Sequence, residues 1–183
     1  MASSPRHVAL LRGINVGGKN KLPMRELVTM FEGAGCTEVN TYIQSGNVVF
    51  AATSKVVKTL PAVITAAIEK RFGLRIPVVL RSAKALATVA ATHPLPAGDG
   101  EDAWLYVAFL AATPTTANVA RLDPRRSPPD TFLVRGADIY LSLPNGARSK
   151  LTNAYFDRTL NTVSTMRNWR TVQALRELVG ATG

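Results

Sequence analysis

The spacing of apolar residues along this chain predicts strands first and then helices. A continuous apolar run, Val8–Leu11, is typical of a buried strand. Helical spacing then begins after Pro23, at Met24, Leu27, Val28, Met30 and Phe31. Two strand-like runs, Val39–Ile43 and Val48–Ala52, flank a polar turn that contains the glycine a tight hairpin needs. The first part of the chain therefore begins in the order β-α-β-β.

The same pattern continues to the end of the chain. Val56–Phe72 is predicted to be a helix and Ile76–Leu80 a strand, which completes β-α-β-β-α-β. Ser82–Thr92 then resembles a linker helix capped by Ser82. The elements predicted after it are Trp104–Ala111 (strand), Thr115–Leu122 (helix), Phe132–Arg135 and Ile139–Leu143 (hairpin), Leu151–Leu160 (helix), Val163–Met166 (extended) and Trp169–Val179 (helix). The order β-α-β-β-α-β thus occurs a second time.

This repeated order predicts the fold class, although the two halves show no repeat residue by residue. The β-α-β-β-α-β order is that of the ferredoxin-like split unit. We therefore expect an α+β fold that duplicates ferredoxin-like units and ends in a C-terminal helix. Residues 1–81 form the first half in this prediction, residues 82–98 a linker helix and loop, and residues 99–183 the second half.

Charge is the unusual feature of the composition, with a formal net charge of +10 and a pI of about 10.4. Residues 1–81 carry 11 Lys and Arg against 4 Asp and Glu, whereas residues 82–183 carry 11 against 8. A field of this sign attracts nucleic acid, acidic lipid or phosphorylated metabolites. A solubilising surface without a partner explains it as well.

Three observations predict a cytoplasmic protein without a membrane partner. The N-terminus has no apolar segment of the kind found in a signal peptide, and the longest apolar run, Ala103–Ala112, is too short to span a bilayer. The single cysteine, Cys36, fits a reducing compartment. No pattern predicts an oligomeric state.

The segment from Gly13 to Lys19 has the GxxxxGK spacing of a phosphate-binding loop. Asn20 stands where a nucleotide-hydrolysing loop needs Ser or Thr for magnesium, and the element order does not suit a parallel nucleotide-binding sheet. A looser anion site survives, because glycines allow a ligand to approach the backbone closely and the flanking cations would offset its charge. Turn geometry alone is the alternative explanation.

Three other polar segments are candidates for binding residues. Gln44, Ser45 and Asn47 lie in the first hairpin turn, where their side chains reach either a ligand or their own backbone. Lys150 and Asn153 open a predicted helix, where capping is the alternative. Arg167, Asn168 and Trp169 join a strand to the last helix, and the tryptophan either stacks on a base or packs against the sheet.

Signs of catalysis and of metal binding are few. His7 and His93 are isolated, no Cys/His cluster has metal-ligand spacing, and no Ser-His-Asp set is evident. We therefore predict no metal and no cofactor.

Four motifs together resemble the bacterial family called Domain of Unknown Function 1697: Ala9–Lys21, Tyr42–Phe50, Ser149–Asn153 and Arg167–Trp169. Arg170 and His93-Pro94-Leu95 depart from the pattern of that family. The resemblance implies an α+β fold of ferredoxin-like character, and it brings no established activity or cofactor.

The leading hypothesis is a protein that binds an anionic ligand, either nucleic acid or a phosphorylated molecule. Its candidate ligand-binding residues are Arg12, Gly13, Asn15, Gly17, Gly18, Lys19, Lys21, Gln44, Ser45, Asn47, Lys150, Asn153, Arg167, Asn168 and Trp169. An enzyme acting on a small anionic metabolite and a protein-interaction module without activity remain as alternatives.

Overall fold

A computed structural model describes residues 4–97 and 104–180 of the chain. Its first elements are β1 (Arg6–Leu11), α1 (Met24–Gly33), β2 (Thr37–Tyr42), β3 (Asn47–Ala51), α2 (Ser54–Phe72), β4 (Val78–Ser82) and α3 (Ala83–Ala90). The later elements are β5 (Leu105–Leu110), α4 (Thr116–Val119), β6 (Thr131–Arg135), β7 (Asp138–Ser142), α5 (Asn153–Leu160), β8 (Ser164–Asn168) and α6 (Trp169–Gly180). A short 3-10 helix, Gly146–Arg148, precedes α5.

The strands form two four-stranded sheets with equivalent topology. The strand orders are β2-β3-β1-β4 and β6-β7-β5-β8, and every neighbouring pair is antiparallel. Both orders are those of a ferredoxin-like β-α-β-β-α-β unit. The predicted α+β class is confirmed, and the two halves are related by topology.

The chain divides into two compact units. Unit 1 comprises the described residues of Met1–Thr88 and Leu175–Gly183, and unit 2 those of Val89–Ala174. The division therefore falls within α3 and again within α6.

The core of unit 1 lies between one face of its sheet and the helices α1 and α2. Leu27 and Phe31 are the buried residues of α1, and Leu60, Ile64 and Ile68 those of α2. Burying side chains of this size contributes about 1.5–3 kcal/mol each. The Thr53 hydroxyl caps the start of α2, and Gly73 ends the helix with left-handed backbone.

The core of unit 2 is built in the same way, with Tyr155, Phe156 and Leu160 of α5 packed in one cluster with strand residues of β5 and β7. α4 is shorter than the predicted helix Thr115–Leu122. The Thr115 hydroxyl caps its start, but the backbone N–H groups of Arg121 and Leu122 bond three residues back instead of four. This tightening ends the α-helix early.

No helix in the described residues is both long and apolar enough to cross a bilayer.

Candidate functional site

The glycine-rich segment between β1 and α1 forms a small hairpin. Val16 and Lys19 pair as an antiparallel bridge, and the Lys19 N–H donates to the Val16 carbonyl at 3.0 Å. Gly17 and Gly18 form the tip with φ of 57° and 74°, the left-handed pair that a two-residue type I′ turn requires. The GxxxxGK segment is thus a protruding hairpin and not a loop wrapped around a phosphate.

Two asparagine side chains fasten the base of this hairpin. The Asn15 amide nitrogen donates to the carbonyls of Leu22 and Gln44, both at 2.9 Å, and its oxygen accepts from the Leu22 N–H at 2.8 Å. The Asn20 amide donates to the Gly13 carbonyl at 2.8 Å. Asn15 therefore joins the hairpin to the turn between β2 and β3.

That turn meets the hairpin through a glycine that no other residue replaces without strain. The Leu11 N–H donates to the Gly46 carbonyl at 2.8 Å, and Gly46 has a φ of 79°. A Cβ at Gly46 would lie 2.8 Å from the Leu11 Cβ and 2.9 Å from the Ile14 Cδ1. Buried Asn47 donates to the Tyr42 carbonyl at 3.1 Å, so it holds the turn together from inside. The Asn47 amide also donates to the Ser45 hydroxyl at 3.0 Å.

Cations gather at this end of the unit 1 sheet. Lys19 and Lys21 are exposed, and Arg12 is half-buried. The Arg12 N–H donates to the Pro77 carbonyl at 3.1 Å, so the segment that precedes β4 lies beside the hairpin and brings Arg75 with it. We call this region the basic end of unit 1, and it contains Arg12, Lys19, Lys21, Arg25, Lys70, Arg71 and Arg75.

The cations at the end of α2 and in the segment before β4 were not predicted to belong to the site. The Arg71 guanidinium lies 2.8 Å from the Glu26 carboxylate at the start of α1, which ties the end of α2 to the same region. The order β-α-β-β-α-β was enough to predict their position, because β1 and β4 are antiparallel neighbours in a sheet of this topology. The segment before β4 must then lie beside the segment after β1.

In unit 2, the residues predicted around the start of α5 have structural partners. The Lys150 N–H donates to the Ser127 hydroxyl at 3.0 Å, while the Lys150 side chain is exposed. The oxygen of the Asn153 side chain accepts from the Ser164 hydroxyl at 3.0 Å. Thr152 caps the helix by accepting from the Tyr155 N–H. Asn153 thus connects the start of α5 to the start of β8.

Arg167, Asn168 and Trp169 form a joint between β8 and α6. Buried Arg167 donates to the Thr165 hydroxyl at 2.9 Å and to the Met166 carbonyl at 2.8 Å, and burial lowers the pKa of Arg167 to about 10. The Asn168 side chain caps α6 by accepting from the Thr171 N–H at 2.8 Å.

Trp169 is only 7% exposed. Its ring packs edge-to-face on His93, with ring centroids 5.0 Å apart. Little of the indole remains for stacking on a base.

The two predicted groups of unit 2 do not form one site. Asn153 contacts Ser164 at the first residue of β8, whereas Arg167–Trp169 lie at the other end of that strand. By contrast, the two groups of unit 1 share hydrogen bonds. The candidate site is therefore the basic end of unit 1.

Residues suited to metal or nucleophilic chemistry are not gathered at this site. Among the described residues, no group of three or more His, Cys, Asp and Glu has metal-binding geometry. Cys36 is buried in the core of unit 1, and this burial raises the pKa of its thiol to about 11. The chemistry that the site offers is hydrogen bonding and positive charge.

Comparison with known proteins places this geometry in context. A family model described as "Protein of unknown function (DUF1697)" matches residues 5–140, which include the hairpin and the β2–β3 turn. The solved structure of conserved bacterial protein SP0830 from Streptococcus pneumoniae is similar, with a TM-score of 0.64 and 21% identity over 96% of this chain and 98% of that chain. This likeness concerns the fold alone. No curated protein matches the chain.

Proposed function

The chain belongs to the DUF1697 family of proteins of unknown function, and we propose that it binds the phosphate backbone of a nucleic acid at the basic end of unit 1. The observation that carries this proposal is the convergence of two motifs, Ala9–Lys21 and Tyr42–Phe50, on one protruding basic hairpin. The hydrogen bond from Asn15 to Gln44 joins them. A cytoplasmic location is part of the proposal.

Unit 2 supports the proposal because it shows that the fold does not need the hairpin. The Leu110 N–H donates to the Ala137 carbonyl at 2.9 Å, and the Ala111 N–H to the Val163 carbonyl at 2.8 Å. In unit 1 the equivalent bonds run from the Leu11 N–H to the Gly46 carbonyl and from the Arg12 N–H to the Pro77 carbonyl. However, residues 111–115 suffice between β5 and α4, whereas residues 12–23 connect β1 to α1. The basic hairpin is an addition to a complete framework.

The shape of the site favours a long anionic polymer over a small metabolite. Lys19 and Lys21 are exposed on a protruding segment, where they can follow a chain of phosphates. Each phosphate that a lysine neutralises releases condensed counterions, which makes binding strong at low salt. The Gly17–Gly18 tip adds no side chain that would keep the backbone away from a ligand.

The two central strands of the unit 1 sheet, β1 and β3, do not offer the alternative mode of RNA recognition. Val8, Leu10 and Val49 lie on the face opposite to α1 and α2, and all three are buried. Recognition on a ferredoxin-like sheet needs exposed aromatic side chains on which bases stack. The loops at the basic end are therefore the better candidates for contact.

The test measures affinity for a labelled oligonucleotide by fluorescence anisotropy over a series of salt concentrations. Replacing Lys19 and Lys21 together by alanine is expected to reduce the slope of log affinity against log salt by roughly 0.7–0.9 for each phosphate that the variant no longer neutralises.

The matched control replaces Lys55 and Lys58, which are exposed near the start of α2, at the opposite end of the sheet. Failure to bind at low salt would overturn the proposal. An equal loss of slope in both double variants would also overturn it, because it would show an effect of net charge alone.

A further inference from the structure

Two exposed aliphatic side chains lie among the cations of the basic end. Val16 is 61% exposed on the hairpin, and Ile43 is 51% exposed at the start of the β2–β3 turn. The hydrogen bond between Asn15 and Gln44 joins the residues next to them in the chain. Val16 is also the bridge partner of Lys19. This end therefore combines an apolar patch with positive charge.

The backbone conformation of Ile43 is unusual for an isoleucine. Its φ is 49°, in the left-handed region that a β-branched residue adopts only under strain. The other left-handed residues of the hairpin and the β2–β3 turn are all glycine or asparagine, residue types that tolerate such backbone: Gly13, Asn15, Gly17, Gly18, Asn20 and Gly46.

Burial in the core does not offset the cost of this strained backbone. Ile43 is not among the hydrophobic residues that pack against the core of unit 1. Strained backbone of this kind persists where the surrounding structure fixes it, and such positions cluster at functional sites.

We infer that Val16 and Ile43 contact the faces of bases in a single-stranded nucleic acid whose phosphates are bound by Lys19 and Lys21. This inference rests on the proposed function and specifies its ligand class. A nucleotide offers a flat apolar face within a short distance of its phosphate. In a duplex these faces are stacked against one another, whereas a single strand can turn its bases out.

Ile43→Asn separates the apolar contact from the charge. Asparagine tolerates left-handed backbone, so we expect the variant to fold and to be no less stable than the parent. Removing the half-exposed isoleucine side chain is expected to weaken binding of a single-stranded oligonucleotide about fivefold. The salt slope should not change, because no cation is removed. Val63→Asn, at an exposed aliphatic residue of α2, is the matched control and should leave affinity unchanged.

A second arm compares the single strand with the duplex of the same sequence at the same salt concentration. We expect the parent protein to prefer the single strand and Ile43→Asn to reduce this preference. Equal affinity for both forms, or unchanged binding by Ile43→Asn, would overturn the inference. If the inference fails in this way but Lys19→Ala/Lys21→Ala still reduces the slope of log affinity against log salt, the proposed function stands without the inference.

Two further outcomes also decide against single-stranded nucleic acid. No binding of any oligonucleotide would overturn both the inference and the proposed function. Vesicles of anionic phospholipid provide the other arm, since aliphatic and basic residues together also suit a charged membrane surface. Vesicle binding that Ile43→Asn abolishes, with oligonucleotide affinity unchanged, would assign the apolar patch to lipid.

Discussion

Asn15→Ala tests whether the basic hairpin is preformed, because this one side chain makes three of the hydrogen bonds at the base of the hairpin. The Asn15 amide makes three hydrogen bonds, two with the backbone of Leu22 and one with the carbonyl of Gln44. Alanine removes all three and leaves the charge of the site unchanged. Any loss of binding would then report the position of the lysines and not their number.

The size of the effect follows from these bonds and from the backbone. Each hydrogen bond contributes about 0.5–1.5 kcal/mol, and the half-buried position of Asn15 favours the lower part of that range, so their loss costs about 2 kcal/mol. Asn15 also has a φ of 54°, at which alanine costs about 1 kcal/mol more. We expect Asn15→Ala to lower the free energy of unfolding by about 3 kcal/mol. Asn15→Gly should lower it by about 2 kcal/mol, because glycine accepts this backbone.

Urea unfolding followed by circular dichroism measures the free-energy change, and hydrogen exchange at the Leu22 amide measures the local effect. This N–H donates to the Asn15 side chain, so its protection should fall in both variants. Oligonucleotide affinity should fall with it. A destabilisation below about 0.5 kcal/mol, with the Leu22 amide still protected, would refute the assignment of Asn15 as the attachment of the hairpin.

Two more predictions concern stability. Gly46→Ala should lower the free energy of unfolding in urea by at least about 2 kcal/mol, since its Cβ would overlap Leu11 and its φ is positive; a smaller loss would mean that the turn moves away easily. Burial raises the pKa of Asp130, but hydrogen bonds from Asn145 and from serine hydroxyls outweigh this and leave its pKa below the ordinary value. The stability from Asp130 is therefore complete above the unfolded pKa and is lost as pH falls through the folded one. Asp130→Asn should reduce the acid dependence of unfolding below about pH 4, and an unchanged pH profile would contradict this.

The elements of the fold were predictable because their signals are local. The hairpin between β2 and β3, the long helix α2 and the Ser82 cap each depend on residues close together in the chain. The Ser82 cap is confirmed, since its hydroxyl accepts from the Ala85 N–H at 3.1 Å. The predicted length of α4 was wrong, because a change from four-residue to three-residue hydrogen bonding hardly alters the spacing of apolar residues.

The roles of the polar residues at the site were not predictable in the same way. Asn15 bonds to Gln44 across 29 positions of sequence, and this contact depends on the register between β1 and β3. Asn47 appears in the sequence as a turn residue open to ligands, yet the same register buries it completely. Whether an asparagine binds a ligand or its own backbone is decided by these long-range pairings.

The joint between β8 and α6 becomes clearer when the two units are aligned by strand register. Arg81 faces Val8 across β4 and β1, just as Arg167 faces Val107 across β8 and β5. Each arginine donates to the carbonyl of the residue before it, at 2.8 Å in both cases. Each is followed by a residue whose side chain caps the next helix, Ser82 in unit 1 and Asn168 in unit 2.

An element that occurs in both units at the same place in the topology is explained by the fold that both share. The Arg167-Asn168-Trp169 motif therefore needs no ligand to account for its arginine and its asparagine. The basic hairpin has no such counterpart, because residues 111–115 replace it in unit 2. This difference between the two units is the reason to look for the ligand at Lys19 and not at Arg167.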